Sequence, residues 1–153
     1  MERVFICDKC GKPIKDLQNG WVEWIRTEND SEIFHHGLRI VHKLSENFIG
    51  VRDAGCKYNE NQLEDNSIVE DMALSSFLGE NGAQSLIHLF SKYKFSKDEF
   101  ICFVKRILIP RYDELILCLP EAKEMGIVDN NDWDLYSIEQ INIIIDKVNS
   151  LEK

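Results

Sequence analysis

Cys7 and Cys10 enclose Asp8 and Lys9 and are followed by Gly11, and two further donors, His42 and Cys56, stand within the first 58 residues. Three thiols and an imidazole are the donor set of a closed tetrahedral zinc site, and Cys-x2-Cys is a spacing that lets two thiolates reach one ion. The set predicts a structural Zn2+ held by Cys7, Cys10, His42 and Cys56, although iron accepts the same donors. A catalytic ion needs an open coordination position and a neighbouring acid or base, and four good ligands leave none. A redox Cys-x2-Cys would open a helix in a thioredoxin-like setting, whereas here Gly11-Lys12-Pro13 leads into a hairpin. A hydrolytic site built on Glu32, His35 and His36 is disfavoured because adjacent strand residues point to opposite faces; these histidines are expected to be exposed hairpin residues. No His-Glu-x-x-His, Gly-x-Ser-x-Gly or phosphate-loop pattern occurs.

The elements that must position these donors follow from the runs around them. Trp21-Val22-Glu23-Trp24-Ile25-Arg26 and the run from Ile33 to His42 are rich in aromatic and β-branched residues, and polar residues 28–31 separate them, which reads as a β-hairpin. In an antiparallel pair the end of the second strand lies beside the start of the first, so His42 returns toward Gly20 and the knuckle. His35 and His36 sit near the tip, roughly 20 Å away at strand rise. The fourth ligand falls to Cys56, after the turn-like Asp53-Ala54-Gly55, because Cys102 and Cys118 lie in apolar helical runs where a thiol is ordinarily a small buried side chain.

Beyond Cys56 the polar stretch 57–66 reads as a junction, and the signals turn helical. Capping boxes at Ser67/Glu70, Ser96/Glu99 and Ser137/Gln140 each precede an apolar run at helical spacing. The first helix is expected to carry Ile68, Met72 and Phe77 and to stop at Gly79. A second carries Leu86 and Phe90, and a third Phe100, Phe103 and Ile107. The fourth carries Tyr112, Leu115 and Leu119, with Pro120 starting another turn; the last carries Ile138, Ile141, Ile145 and Val148. The expected fold class is α+β: a small zinc-bound β-hairpin module over 1–58 and an acidic, all-helical domain of about five helices over 59–153.

The net charge of −9 is unevenly placed. Residues 1–58 balance nine basic against nine acidic side chains, and residues 59–153 hold nine against eighteen. Nucleic-acid binding draws on basic patches, so it is disfavoured, although Lys9, Lys12, Lys15, Arg39 and Lys43 could form a local basic face. In the segment 105–114, Lys105, Arg106 and Arg111 could contact an anion, with Tyr112 as a stacking platform. The preferred reading makes the charges intramolecular ion pairs and Tyr112 a core residue. Trp133 and Tyr136 read as anchors for the last loop. No apolar run approaches the roughly 18 residues of a membrane span, and the N-terminus lacks a signal-peptide pattern. Five cysteines, with one Cys-x2-Cys pair, fit a reducing compartment, so the cytoplasm is expected.

The knuckle, the Trp-rich hairpin and His42 with Cys56 resemble the zinc-ribbon and treble-clef modules over about the first 58 residues. That resemblance implies a structural metal and use in nucleic-acid or protein recognition. The segments Phe77-Leu78-Gly79-Glu80-Asn81-Gly82 and 105–114 resemble uncharacterised small bacterial proteins, which implies an architecture and no activity. The expectation is a non-enzymatic interaction module that binds another protein, compatible with a homo-oligomer. A nucleic-acid-binding regulator and a metal-dependent hydrolase are the alternatives.

Overall fold

The aromatic and β-branched residues after Gly20 form the longest hairpin among the described residues. In the computed structural model, which describes residues 3–44, 55–129 and 136–151, the chain opens with two short antiparallel strands, β1 (Phe5–Ile6) and β2 (Pro13–Ile14). Strands β3 (Gly20–Asn29) and β4 (Glu32–His42) follow, and then β5 (Ser67–Ala73). Four helices complete the described residues: α1 (Gly82–Lys92), α2 (Lys97–Leu108), α3 (Tyr112–Glu124) and α4 (Ile138–Leu151). The class is α+β, with one helix fewer than the roughly five expected.

Hairpin β3–β4 turns through Asp30 and Ser31, both at positive φ (47° and 70°), the geometry of a two-residue type I′ loop. Register then places His42 opposite Gly20, as the hairpin argument requires. One irregularity lies between: β4 has Gly37 and Leu38 where β3 has only Trp24. This bulge uses a left-handed Gly37 at φ +67°. The Leu38 N–H is taken up by Glu99 Oε1 of α2 at 2.5 Å, and the Tyr58 hydroxyl donates to the Gly37 carbonyl at 2.9 Å.

The first expected helix is replaced by a strand. Residues 67–73 pair antiparallel with β3, from Thr27↔Ser67 to Trp21↔Ala73, so β3 is the middle strand in the order β4-β3-β5. Both members of the supposed capping box have cross-strand partners. Ser67 Oγ lies 2.8 Å from Thr27 Oγ1, and Glu70 Oε2 accepts from Trp24 Nε1 at 2.9 Å. An open strand edge offering a full hydrogen-bond ladder outweighs a local helix-start signal. A short 3₁₀ turn (Leu74–Phe77) then buries Leu74 and Phe77.

The other two boxes cap helices: Ser96 Oγ accepts from Glu99 N, and Ser137 and Gln140 exchange both bonds. Pro120 does not begin a new turn but lies inside α3, at a solvent-exposed position. Ile138, expected on the core face of α4, is exposed, and Ile144 is buried beside Ile141, Ile145 and Val148.

Two apolar clusters organise the packing. The larger joins Phe5, Val22, Trp24, Ile40 and Leu74 with Leu89, Phe103 and Ile107, and so draws on residues from both sides of residue 58. The smaller is the α3–α4 seam, Leu115 and Ala122 against Ile141, Ile145 and Val148. No helix among the described residues is long and apolar enough to cross a membrane.

Candidate metal centre

The knuckle is the turn between β1 and β2. Cys7 N donates to Lys12 O and Gly11 N to Cys7 O, both at 2.9 Å, a tight reversal that Gly11 allows by adopting φ +73°. Asp8 stitches the turn to β4: its N–H donates to Ile40 O at 2.8 Å and its carboxylate accepts from Ile40 N at 2.7 Å. This pairing sets the knuckle beside the end of β4, where His42 lies.

Cys7, Cys10, His42 and Cys56 converge, with one ligand atom from each within 4.8 Å of all the others. Cys7, His42 and Cys56 are buried, and Cys10 is exposed. His42 Nδ1 lies 3.5 Å from Cys10 Sγ and 3.8 Å from Cys56 Sγ. Bonds of about 2.3 Å to sulfur and 2.0 Å to nitrogen at tetrahedral angles would separate those atoms by about 3.5 Å. The four could therefore hold a metal ion.

His42 is presented by the nitrogen that a metal would need. Its Nε2 lies 3.2 Å from the Pro13 carbonyl, which can only accept, so Nε2 carries the proton and the Nδ1 lone pair faces the thiols. Cys7 is prepared electrostatically. Burial pushes its thiol up, but backbone N–H groups of Cys10, His42 and Lys9 outweigh burial and bring it from 9.0 to about 7. Burial, reinforced by the adjacent Cys7 and Cys10 sulfurs, pushes the Cys56 thiol up to about 12. Without a cation the cluster therefore resists full ionisation, and an ion would supply the missing positive charge.

The sign of the proton exchange follows. With the Cys7 thiol brought down to about 7, metal uptake should release more protons at pH 6 than at pH 8 from this group. Affinity should correspondingly fall as the solution is acidified. Calorimetric titration in buffers of different ionisation enthalpy reads both; a proton count independent of pH would show that Cys7 does not titrate between pH 6 and pH 8.

Cys56 is held by Glu23 and Tyr58, which the sequence reading did not single out, and by Arg39, which it placed on a basic face. Fully buried Glu23 accepts from Tyr58 N at 2.9 Å and from Arg39 Nε at 2.9 Å, while Arg39 Nη2 donates to the Cys56 carbonyl at 3.1 Å. The Arg39 guanidinium also covers the Tyr58 ring at 3.5 Å. Burial pushes the Glu23 carboxyl up, and Arg39 and the Tyr58 amide oppose that shift. The signal was available, since Glu23 and Arg39 face each other in the hairpin register.

His35 is not an exposed hairpin residue. It is buried between Tyr93 and Phe95, its Nδ1 accepts from Lys94 N at 3.0 Å, and Nε2 lies 3.8 Å from Glu70 Oε2. Burial keeps its imidazole below the usual range, partly offset by Glu70. His36 is exposed, with Nε2 3.0 Å from Thr27 Oγ1, so the two histidines occupy different environments.

Arg106 and Arg111 both make intramolecular pairs. Arg106 donates to Asp113 through Nε and Nη2, each at 2.8 Å, to Asp8 at 2.6 Å and to the Ile6 carbonyl at 2.8 Å. Arg111, at φ +58°, holds Glu114 at 3.1 Å and reaches Asn142 at 3.0 Å across to α4. Lys105 is half-buried on α2, and Tyr112 packs partly buried against the α3–α4 seam. Of the basic residues near the knuckle, Lys9, Lys12 and Lys15 are exposed, Arg39 is engaged by Glu23, and Lys43 lies 4.7 Å over the Trp21 ring. Tyr136 packs on the α3–α4 seam, and Trp133 lies outside the described residues. Compared with models of protein families, with curated proteins and with solved structures, the chain matches none of them.

Proposed function

We propose that this chain is a zinc-stabilised, non-enzymatic module that works by binding another protein. The observation that supports it is the convergence of Cys7, Cys10, His42 and Cys56, with the Pro13 carbonyl orienting the imidazole. These four would complete a tetrahedral shell, leaving the ion no position for substrate or water. When bound, the ion supplies a cross-link between the knuckle, the end of β4 and the segment carrying Cys56. The chain's own residues do the rest: Asp8 anchors the knuckle to β4, and Glu23 and Arg39 anchor the Cys56 segment to the sheet. The arrangement is similar in kind to zinc-ribbon modules, a knuckle followed by a hairpin. Protein binding rather than nucleic-acid binding is favoured because Arg39 is turned to Glu23 and the chain carries a net charge of −9.

Native mass spectrometry of the purified protein, before and after chelation, tests this reading. One zinc per chain is expected, with loss of the fold when it is stripped, since structural zinc contributes on the order of 10 kcal/mol coupled to folding. A metal-free protein that is fully folded, or an ion removed without unfolding, would overturn it.

A further inference from the structure

Helices α1 and α2 share an apolar, solvent-facing hollow. Ala83, Leu86, Ile87 and Phe90 face Phe100, Val104 and Leu108 across a hollow of about 370 Å³, and Phe90 and Phe100 continue it into a second of about 510 Å³ that ends at Lys97. Ile87 and Phe90 are each 67% exposed and Leu108 56%, although the same two helices bury Leu89, Phe103 and Ile107 on their other sides. These helices therefore present apolar faces both to the core and to solvent, which ordinary amphipathic helices do not.

Charge identifies the occupant. Residues 82–108 hold five basic side chains, Lys92, Lys94, Lys97, Lys105 and Arg106, against two acidic ones, Asp98 and Glu99, in a chain of net charge −9. Arg106 and Glu99 are engaged inside the molecule; Lys97 lines the second hollow, and Lys92 and Lys105 stand on the two helices that line the first. We infer that the α1–α2 seam is a docking groove for an acidic amphipathic helix of another protein. Apolar residues at i, i+3 or i+4, and i+7 of that helix fill the hollows, and its Asp and Glu residues meet Lys92, Lys97 and Lys105. A trough of this shape suits a helix better than a lipid surface, and the anionic remainder of the chain repels an anionic bilayer. Two copies meeting through the same face would oppose like charges.

This inference rests on the protein-binding reading and specifies its face. The test selects binders to the full-length, zinc-loaded protein from a displayed library of helical peptides of about 18 residues, long enough to form a helix on docking. Selected peptides should show the apolar i, i+3/i+4, i+7 pattern with acidic flanks. Their affinity, measured by fluorescence anisotropy, should drop about tenfold or more on Phe90→Glu or Ile87→Glu, as for truncation of a central anchor. Both variants should retain one zinc and the wild-type melting temperature, because the altered side chains are exposed. Peptides with basic flanks, binders indifferent to both substitutions, or no enrichment would each overturn the groove. Binders mapping to another face would leave the protein-binding reading standing. Concentration-dependent dimerisation abolished by Phe90→Glu would assign the groove to a second copy, and flotation with phosphatidylglycerol vesicles abolished by it would assign a membrane; either overturns the inference.

Discussion

Cys56→Ser is expected to abolish stoichiometric metal binding and to leave a protein that is largely unfolded or melts far below the parent. A seryl oxygen is a poor replacement for a thiolate, and the Glu23–Arg39–Tyr58 contacts tie the residues around Cys56 to the sheet. Small domains are stable by about 5–15 kcal/mol, and a structural zinc contributes on the order of 10, so loss of the ion consumes most of that margin. The thiols on the helices supply the control. Cys102 is exposed on α2, and Cys102→Ser should change neither metal content nor melting temperature. Zinc analysis and thermal unfolding of the two variants side by side decide the matter: Cys56→Ser with one zinc and parental stability would remove Cys56 from the coordination shell.

Arg106→Met should cost about 3–5 kcal/mol, the usual consequence of removing one partner from a buried charge pair. The guanidinium is held bidentately by Asp113, whose side chain is only 5% exposed, and its other arm reaches Asp8 and the Ile6 carbonyl. Burial opposes the Arg106 charge, yet Asp113 and Asp8 overcome it and hold the group protonated. With methionine the apolar stem is replaced but the buried Asp113 carboxylate loses its cation, keeping among the described residues the Ile6 N–H at 2.8 Å. Adding Asp113→Asn removes that charge while keeping an acceptor for Ile6, and should recover part of the loss. Urea unfolding of the single and double variants reads both; a single variant within about 1 kcal/mol of the parent would show that the network is energetically idle.

Local and pairwise information was readable from the chain. The knuckle needed only Cys7, Cys10 and Gly11, and the place of His42 followed from counting along two strands of nearly equal length. What escaped were decisions made by distant partners. Ser67 and Glu70 carry a sound helix-start pattern, and it was overruled by Thr27 and Trp24, about forty residues earlier. His35 looked like a tip residue because nothing nearby announces Tyr93 and Phe95, which close over it. Arg106 could be read as engaged, but not by Asp8, 98 positions away. Pro120 was read as a helix boundary from a propensity that the α3–α4 packing overrides.

Asp8 sits in the middle of the Cys-x2-Cys turn and accepts both from Ile40 of the sheet and from Arg106 of α2. β3 is likewise flanked by β4 on one side and by β5, from beyond residue 58, on the other. Portability is what these two facts remove. Cut after residue 58, the knuckle would carry a carboxylate without its cation and β3, still paired to β4, would become an exposed edge, an invitation to edge-to-edge association. The knuckle and hairpin should travel only with their helices.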